Sequence, residues 1–200
     1  YLKAFGEKHN LETKVDEAGN VLIKKPATPG KENLQTVILQ SHVDMVCEKN
    51  NDVEHDFLVD PIETEIDGEW MKAKGTTLGA DNGIGVATEL AILADDTIEH
   101  GPLECLFTVD EETGLTGAFA LKEGFMNGDI LLNLDSEDEG ELFIGCAGGI
   151  DSVAQFTYKE ADVPAGYFFF KVEVKGLKGG HSGGDIHLGR GNANKILNRF

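Results

Sequence analysis

Apolar residues recur along this chain in short runs whose period changes, and the changes predict alternating strands and helices. Residues 1–10 carry a helical pattern, while 11–16 and 20–25 read as a hairpin around the turn-rich EAGN at 17–20. The run TVILQ at 36–40 is almost continuously apolar, as suits a strand in the centre of an α/β sheet, and it ends at His42. A second hairpin is expected from 62–66 and 69–73. Residues 83–94 show the i, i+3, i+4 spacing of a packed helix, with Ile84, Ala87, Leu90, Ala91 and Leu93 as the expected inner face and Asp81 at its start. A strand at 103–109 then runs into Asp110-Glu111-Glu112, a short helix is expected at about 114–122, and a strand at 130–134 ends in Asp135. Further strands are expected at about 151–158 and 167–175.

Ligands of open α/β sheets bind beyond the carboxyl ends of the strands. Here three apolar strands end in residues able to hold a metal, and a helix begins with a fourth. Asp81, Glu112 and Asp135 with one bridging hydroxide bring four negative charges, which two divalent cations would balance, so such a site can be buried. An imidazole among carboxylates suits zinc, with cobalt or manganese able to substitute, whereas calcium prefers oxygen alone. Asp44 follows His42 by two residues and in extended chain shares its side, so its carboxylate is expected to accept the second imidazole N–H. Glu111 and Glu112 diverge as neighbours, which lets one bind metal while the other acts as general base.

Charge narrows the partners. With 17 Lys+Arg against 36 Asp+Glu the formal net charge is −19, the wrong sign for phosphate recognition, so no nucleic-acid partner is expected. A hydrophobic fraction of 40% supports a core, yet no apolar run approaches the ~20 residues of a membrane span. Cys47, Cys105 and Cys146 form no CxxC pair, which points to reduced thiols and a cytoplasmic setting, with packing roles for Cys47 and Cys146. His9, His55 and His100 are expected to have no part in a site, and His187 reads as a structural loop histidine. The chain opens YLKAFGEKHNL without a Met and closes GNANKILNRF in a helical pattern, and so reads as a fragment of something larger.

The segments SHVDMV at 41–46, GTTLGADNGIGVA at 75–87, DEETGLTG at 110–117 and NLDSEDEGELFIGCAGG at 133–149 resemble the M20 family of di-zinc metallopeptidases, most closely its bacterial aminoacyl-histidine (Xaa-His) dipeptidases. The resemblance implies a mixed-sheet α/β catalytic domain over residues 1–149, and from 150 to 200 the beginning of an α+β lid domain through which a homodimer can form. It also implies His42 and Asp135 as terminal ligands of one zinc, Asp81 as the bridge, Glu112 on the other zinc, Glu111 as general base, and Asp44 behind His42. His181, in GGHSGG at 179–184, would touch the substrate carboxylate or the oxyanion, in some members from the partner subunit. The expected activity is hydrolysis of dipeptides by a water between two zinc ions, and the peptide joining Asp81 to Asn82 is expected to be cis. The second zinc is one ligand short, and the family supplies a histidine from a later stretch. This chain alone is therefore expected to bind at most one metal well and to lack activity. Alternatives are a tripeptidase or N-acyl-amino-acid hydrolase of the same family, or a non-catalytic acidic module binding calcium or a basic partner. Calcium would need neither His42 nor a spare Glu111.

Overall fold

In the computed structural model the first helical pattern forms α1 (Leu2–Lys8) and the first hairpin pairs β1 (Glu12–Val15) with β2 (Val21–Lys25). The turn between them is held by the Asp16 carboxylate, which accepts the backbone N–H groups of Ala18, Gly19 and Asn20. The buried strand is β3 (Val37–His42), and the second hairpin is β4 (Thr64–Asp67) with β5 (Trp70–Ala73). After α2 (Ala80–Ala94) come β6 (Leu103–Thr108), α3 (Thr116–Ala120) and β7 (Ile130–Asn133). The structure describes residues 1–136, 138–146, 148–150, 152–180 and 185–200. They fall into two units, Tyr1–Glu141 and Leu142–Phe200.

The first unit is built on a five-stranded sheet in the order β1-β2-β6-β3-β7. Its three central and edge members β6, β3 and β7 run parallel, while β1 and β2 are antiparallel, so the sheet is mixed as expected. The register sets His42 beside Thr108 and Gln40 beside Asn133, which brings the ends of all three parallel strands to one rim. From β3 the chain goes to β6 on one side and then to β7 on the other, and at such a reversal of strand order a crevice opens. Ile23, Leu39, Cys105 and Phe107 pack with Leu93 on one face, and Leu22, Ile38 and Leu106 meet Leu121, Phe125 and Met126 on the other. With both faces covered, the central strands read as continuous apolar runs.

The inner face of α2 differs from expectation. Its buried residues are Asn82, Gly85, Glu89 and Leu93, whereas Ile84 is 69% exposed and Ala87 and Ala91 face solvent. The inner face expected from hydrophobic spacing did not include Glu89, but Ser41 on β3 donates to its Oε1 at 2.6 Å, and this bond holds the carboxyl inward. Gly85 allows the approach, since a Cβ there would lie 3.0 Å from the Ser41 Cβ.

Burial pushes the Glu89 carboxyl up to about 8, against the bond from Ser41. Below pH ~4.5, the ordinary value, the folded and unfolded chains both hold its proton. Between there and about 8 only the folded chain does, so stability falls as pH rises and the whole contribution is lost above the folded value. At about 1.4 kcal/mol per pKa unit this amounts to a few kcal/mol. Glu89→Gln keeps the acceptor for Ser41 and removes the titration. In urea unfolding at pH 5 and pH 9, the variant is expected to gain on the wild type by a few kcal/mol between the two values; an unchanged gap refutes the assignment.

In the second unit, Ile186–Leu188 forms a turn of 3₁₀ helix and α4 spans Ala193–Leu197. The strands expected at about 151–158 and 167–175 are not formed among the described residues. The apolar positions there, from Phe156 and Tyr158 to Phe168, Phe169 and Phe170, are exposed, and strand patterning without a ladder partner does not make a strand. Cys47 and Cys146, expected to pack, are exposed, and only Cys105 is buried; all three thiols are free. Among the described residues no helix is long and apolar enough to cross a membrane.

Candidate metal centre

His42 ends β3 with its imidazole buried, 2% exposed, where the parallel register delivers it to the rim. Its Nε2 lies 3.0 Å from Asp81 Oδ1 and 3.7 Å from Asp135 Oδ1. Asp81 reaches this point because α2 starts irregularly: Gly79 at φ 77° precedes it in the left-handed region, and Asp81 itself is non-helical at φ −87°, ψ 114°. The Asp81–Asn82 peptide bond is cis, as the resemblance implied. Asp135 follows β7 at the same rim, where the Leu134 N–H continues the pairing to the Gln40 carbonyl at 2.8 Å.

Glu111 and Glu112 occupy the turn after β6. That turn is shaped by Asp110, at φ 57°, whose carboxylate accepts the hydroxyls of Thr113 and Thr116. The Asp44 carboxylate accepts the backbone N–H groups of both Glu111 and Glu112, each at 3.0 Å. This differs from the orienting role expected of it. The His42 Nδ1 bonds the backbone carbonyl of Asp44 at 3.0 Å, and the carboxylate stands off at 3.5 Å. The cause is that β3 stops at His42, so the alternation that puts i and i+2 on one side stops there too. One residue thus steadies the imidazole with its main chain and the two glutamates with its side chain.

Two groups of donor atoms result, each within 4.8 Å internally: His42, Asp81 and Asp135, and His42, Glu111 and Glu112. His181 lies outside the described residues. An apolar cleft of about 690 Å³ opens beside His42 and Asp44, lined by Leu2, Val15, Met45, Leu78 and Val86 among others.

The electrostatics of these groups call for cations. Burial alone would lower the His42 imidazole, yet the charges of Asp135, Asp81 and Asp44 outweigh it and leave the value raised. Burial, reinforced by Asp81 and Glu111, pushes the Asp135 carboxyl up to about 6. Burial and the neighbouring Glu112, Asp44 and Asp81 raise Glu111 against the pull of His42. Asp44 runs the other way: burial would raise it, but the N–H groups of Glu111 and Glu112 hold it below the usual range. Carboxylates crowded around one imidazole, two of them with pKa values raised by burial and by neighbouring carboxylates, form a donor set suited to divalent metal.

The profile of peptidase family M20/M25/M40 matches residues 38–182, a span that contains both donor groups. The chain belongs to this family. Over its whole length it is 56% identical to the cytosol non-specific dipeptidase of Escherichia coli (strain K12), of which it covers 41%. The aminoacylhistidine dipeptidase from Vibrio alginolyticus is 51% identical over the whole chain and 41% of its own, with a TM-score of 0.72. Aminopeptidase PepT from Bacillus cereus ATCC 10987 is 27% identical over 68% of this chain and 37% of its own, with a TM-score of 0.57. The chain thus spans about two fifths of the length of these M20 relatives.

Sequence reasoning missed one polar residue at the centre. Asn82 is 3% exposed, and its Nδ2 donates to the Leu134 carbonyl at 2.9 Å and to Asp135 Oδ1 at 3.0 Å. Its one signal was an amide next to Asp81 in the first turn of α2.

Proposed function

We propose that this chain carries the metal-binding catalytic part of a dipeptidase acting on unblocked dipeptides, of the aminoacyl-histidine type, and that residues 150–200 begin its lid. The observation that carries the reading is the pair of donor groups sharing His42, one with Asp81 and Asp135 and the other with Glu111 and Glu112. The names of the E. coli and V. alginolyticus relatives support the substrate class. His42, Asp81 and Asp135 would hold one zinc and Glu112 with Asp81 a second, cobalt or manganese substituting. Bound there, divalent cations would polarise a scissile carbonyl and lower the pKa of a bound water. Glu111 takes a proton from that water as its oxygen bonds the carbonyl carbon. As the C–N bond breaks, Glu111 returns the proton to the leaving amine. A carboxyl already raised by burial suits both halves of this exchange. Asp44 keeps Glu111 and Glu112 in place through their N–H groups, and His181 is assigned to the oxyanion or the substrate carboxylate.

The apolar cleft beside His42 is of a size for a small peptide, and the exposed Tyr167, Phe168, Phe169 and Phe170 of the second unit are consistent with a homodimer through the lid. The free thiols and the cytosolic relative support a cytoplasmic setting. The test is a panel of unblocked dipeptides, tripeptides and N-acyl amino acids offered to the longest form of this protein, with and without chelator. Dipeptide cleavage that chelation abolishes and zinc restores is expected. Cleavage of the other classes alone, or cleavage insensitive to chelation, overturns the reading.

A further inference from the structure

We infer that Asn82 is the positioning residue that sets the Asp135 carboxylate in the metal centre, an inference that rests on the metal-binding reading above. Two donors of one group come from different elements, Asp81 from the start of α2 and Asp135 from beyond β7. Asn82 spans that gap with one amide. Both hydrogens of its Nδ2 are used, one on the Leu134 carbonyl and one on Asp135 Oδ1, so the amide grips the main chain and the carboxylate of the same short segment. The oxygen it holds, Oδ1, is the one that stands 3.7 Å from the His42 Nε2, so the amide fixes the atom of Asp135 that faces the other donors.

The amide cannot turn over. Flipping it would aim Oδ1 at a carbonyl and a carboxylate, both acceptors, whereas in the observed orientation Oδ1 is buried without a partner. A buried orphan acceptor costs on its own, so an apolar side chain of the same shape would serve packing better. The amide is retained for its donors. Its seat is cut closely to it: a Cβ on Gly85 would fall 2.2 Å from Asn82 Oδ1, so the residue one turn further along α2 is bare where the amide sits. Outer groups that hold a ligand carboxylate are worth about 10–100-fold in metal affinity.

The test uses Asn82→Leu, close in shape but without donors, and Asn82→Ala, which cannot clash should the leucine prevent folding. Zinc affinity of the chain is measured by competition with a chelating indicator, and metal-free thermal unfolding is followed in parallel. Leu93→Ala, which opens a cavity at the far end of the same helix, is the control for a purely structural effect. Expected is a loss of about 10–100-fold in zinc affinity in the Asn82 variants, with the metal-free midpoint of Asn82→Leu unchanged or raised. Leu93→Ala is expected to lower the midpoint and keep the affinity. If Asn82→Leu binds zinc as the wild type does, or if affinity merely tracks the midpoint across all three variants, the positioning role is overturned. Failure of the wild-type chain itself to bind zinc overturns the metal-centre reading as well.

Discussion

Glu111→Gln is expected to lower kcat for dipeptide hydrolysis by about 10³-fold, within the ~10²–10⁴ that a positioned general base contributes, and to leave zinc content unchanged. The amide keeps the shape of the side chain and the backbone N–H that Asp44 grips. What it loses is the ability to accept a proton. Because Glu111 and Glu112 are held by the two oxygens of one carboxylate, the substitution leaves the Glu112 anchor in place. Hydrolysis by the longest form of the protein, with zinc measured on the same sample, separates the two roles. A variant that loses zinc in step with activity would make Glu111 a ligand and not the base, a reversal the geometry makes worth testing, since Glu111 and Glu112 stand equally among the donors around His42.

Asp81→Ala is expected to abolish detectable hydrolysis and to weaken zinc binding by at least ~100-fold, the upper end of what loss of a supporting ligand partner alone costs. Its Oδ1 is the carboxylate oxygen in closest contact with the His42 Nε2, and in the proposed arrangement it serves both cations. No described neighbour can take its place, because Asp135 is held by Asn82 and Glu112 sits across the rim in the turn after β6. Zinc titration compared with Asp135→Ala distinguishes a shared ligand from a terminal one. Equal losses in the two variants would show that Asp81 is not shared.

Much of the fold could be read from apolar spacing where one face or both faces of an element meet the core. The strands β2, β3 and β6 fall close to their expected positions for that reason, whereas the exposed β7 and the β4–β5 hairpin follow from their apolar and turn patterns alone; with them came the rim where His42, Glu111, Glu112 and Asp135 gather. Spacing failed where a single long-range polar bond decided the matter. Glu89 is no part of the apolar face expected for α2, yet the bond from Ser41, far away in sequence, holds it inside. Asp44 was placed by the alternation of an extended strand that ends two residues earlier. The alternation at 167–175 is of strand type, but a strand exists only with a neighbour to bond, which local patterning does not report. The order of ligands, and the cis bond at Asp81, came from resemblance to relatives and not from periodicity.

The parallel register of β3, β6 and β7 also has a kinetic side. The donors are spread from residue 42 to residue 135 and meet only at the ends of strands whose pairing is non-local. Contacts of that kind form late, because loop closure must be completed before they contribute. In the unfolded chain these donors stand apart, and on the metal-binding reading proposed above zinc affinity rises only as the rim closes. Mass action would then work in one direction: bound zinc would draw the population toward the completed sheet. In a refolding experiment, the moment of zinc capture would mark the closing of the rim, making the metal an internal clock for the assembly of the sheet that holds it.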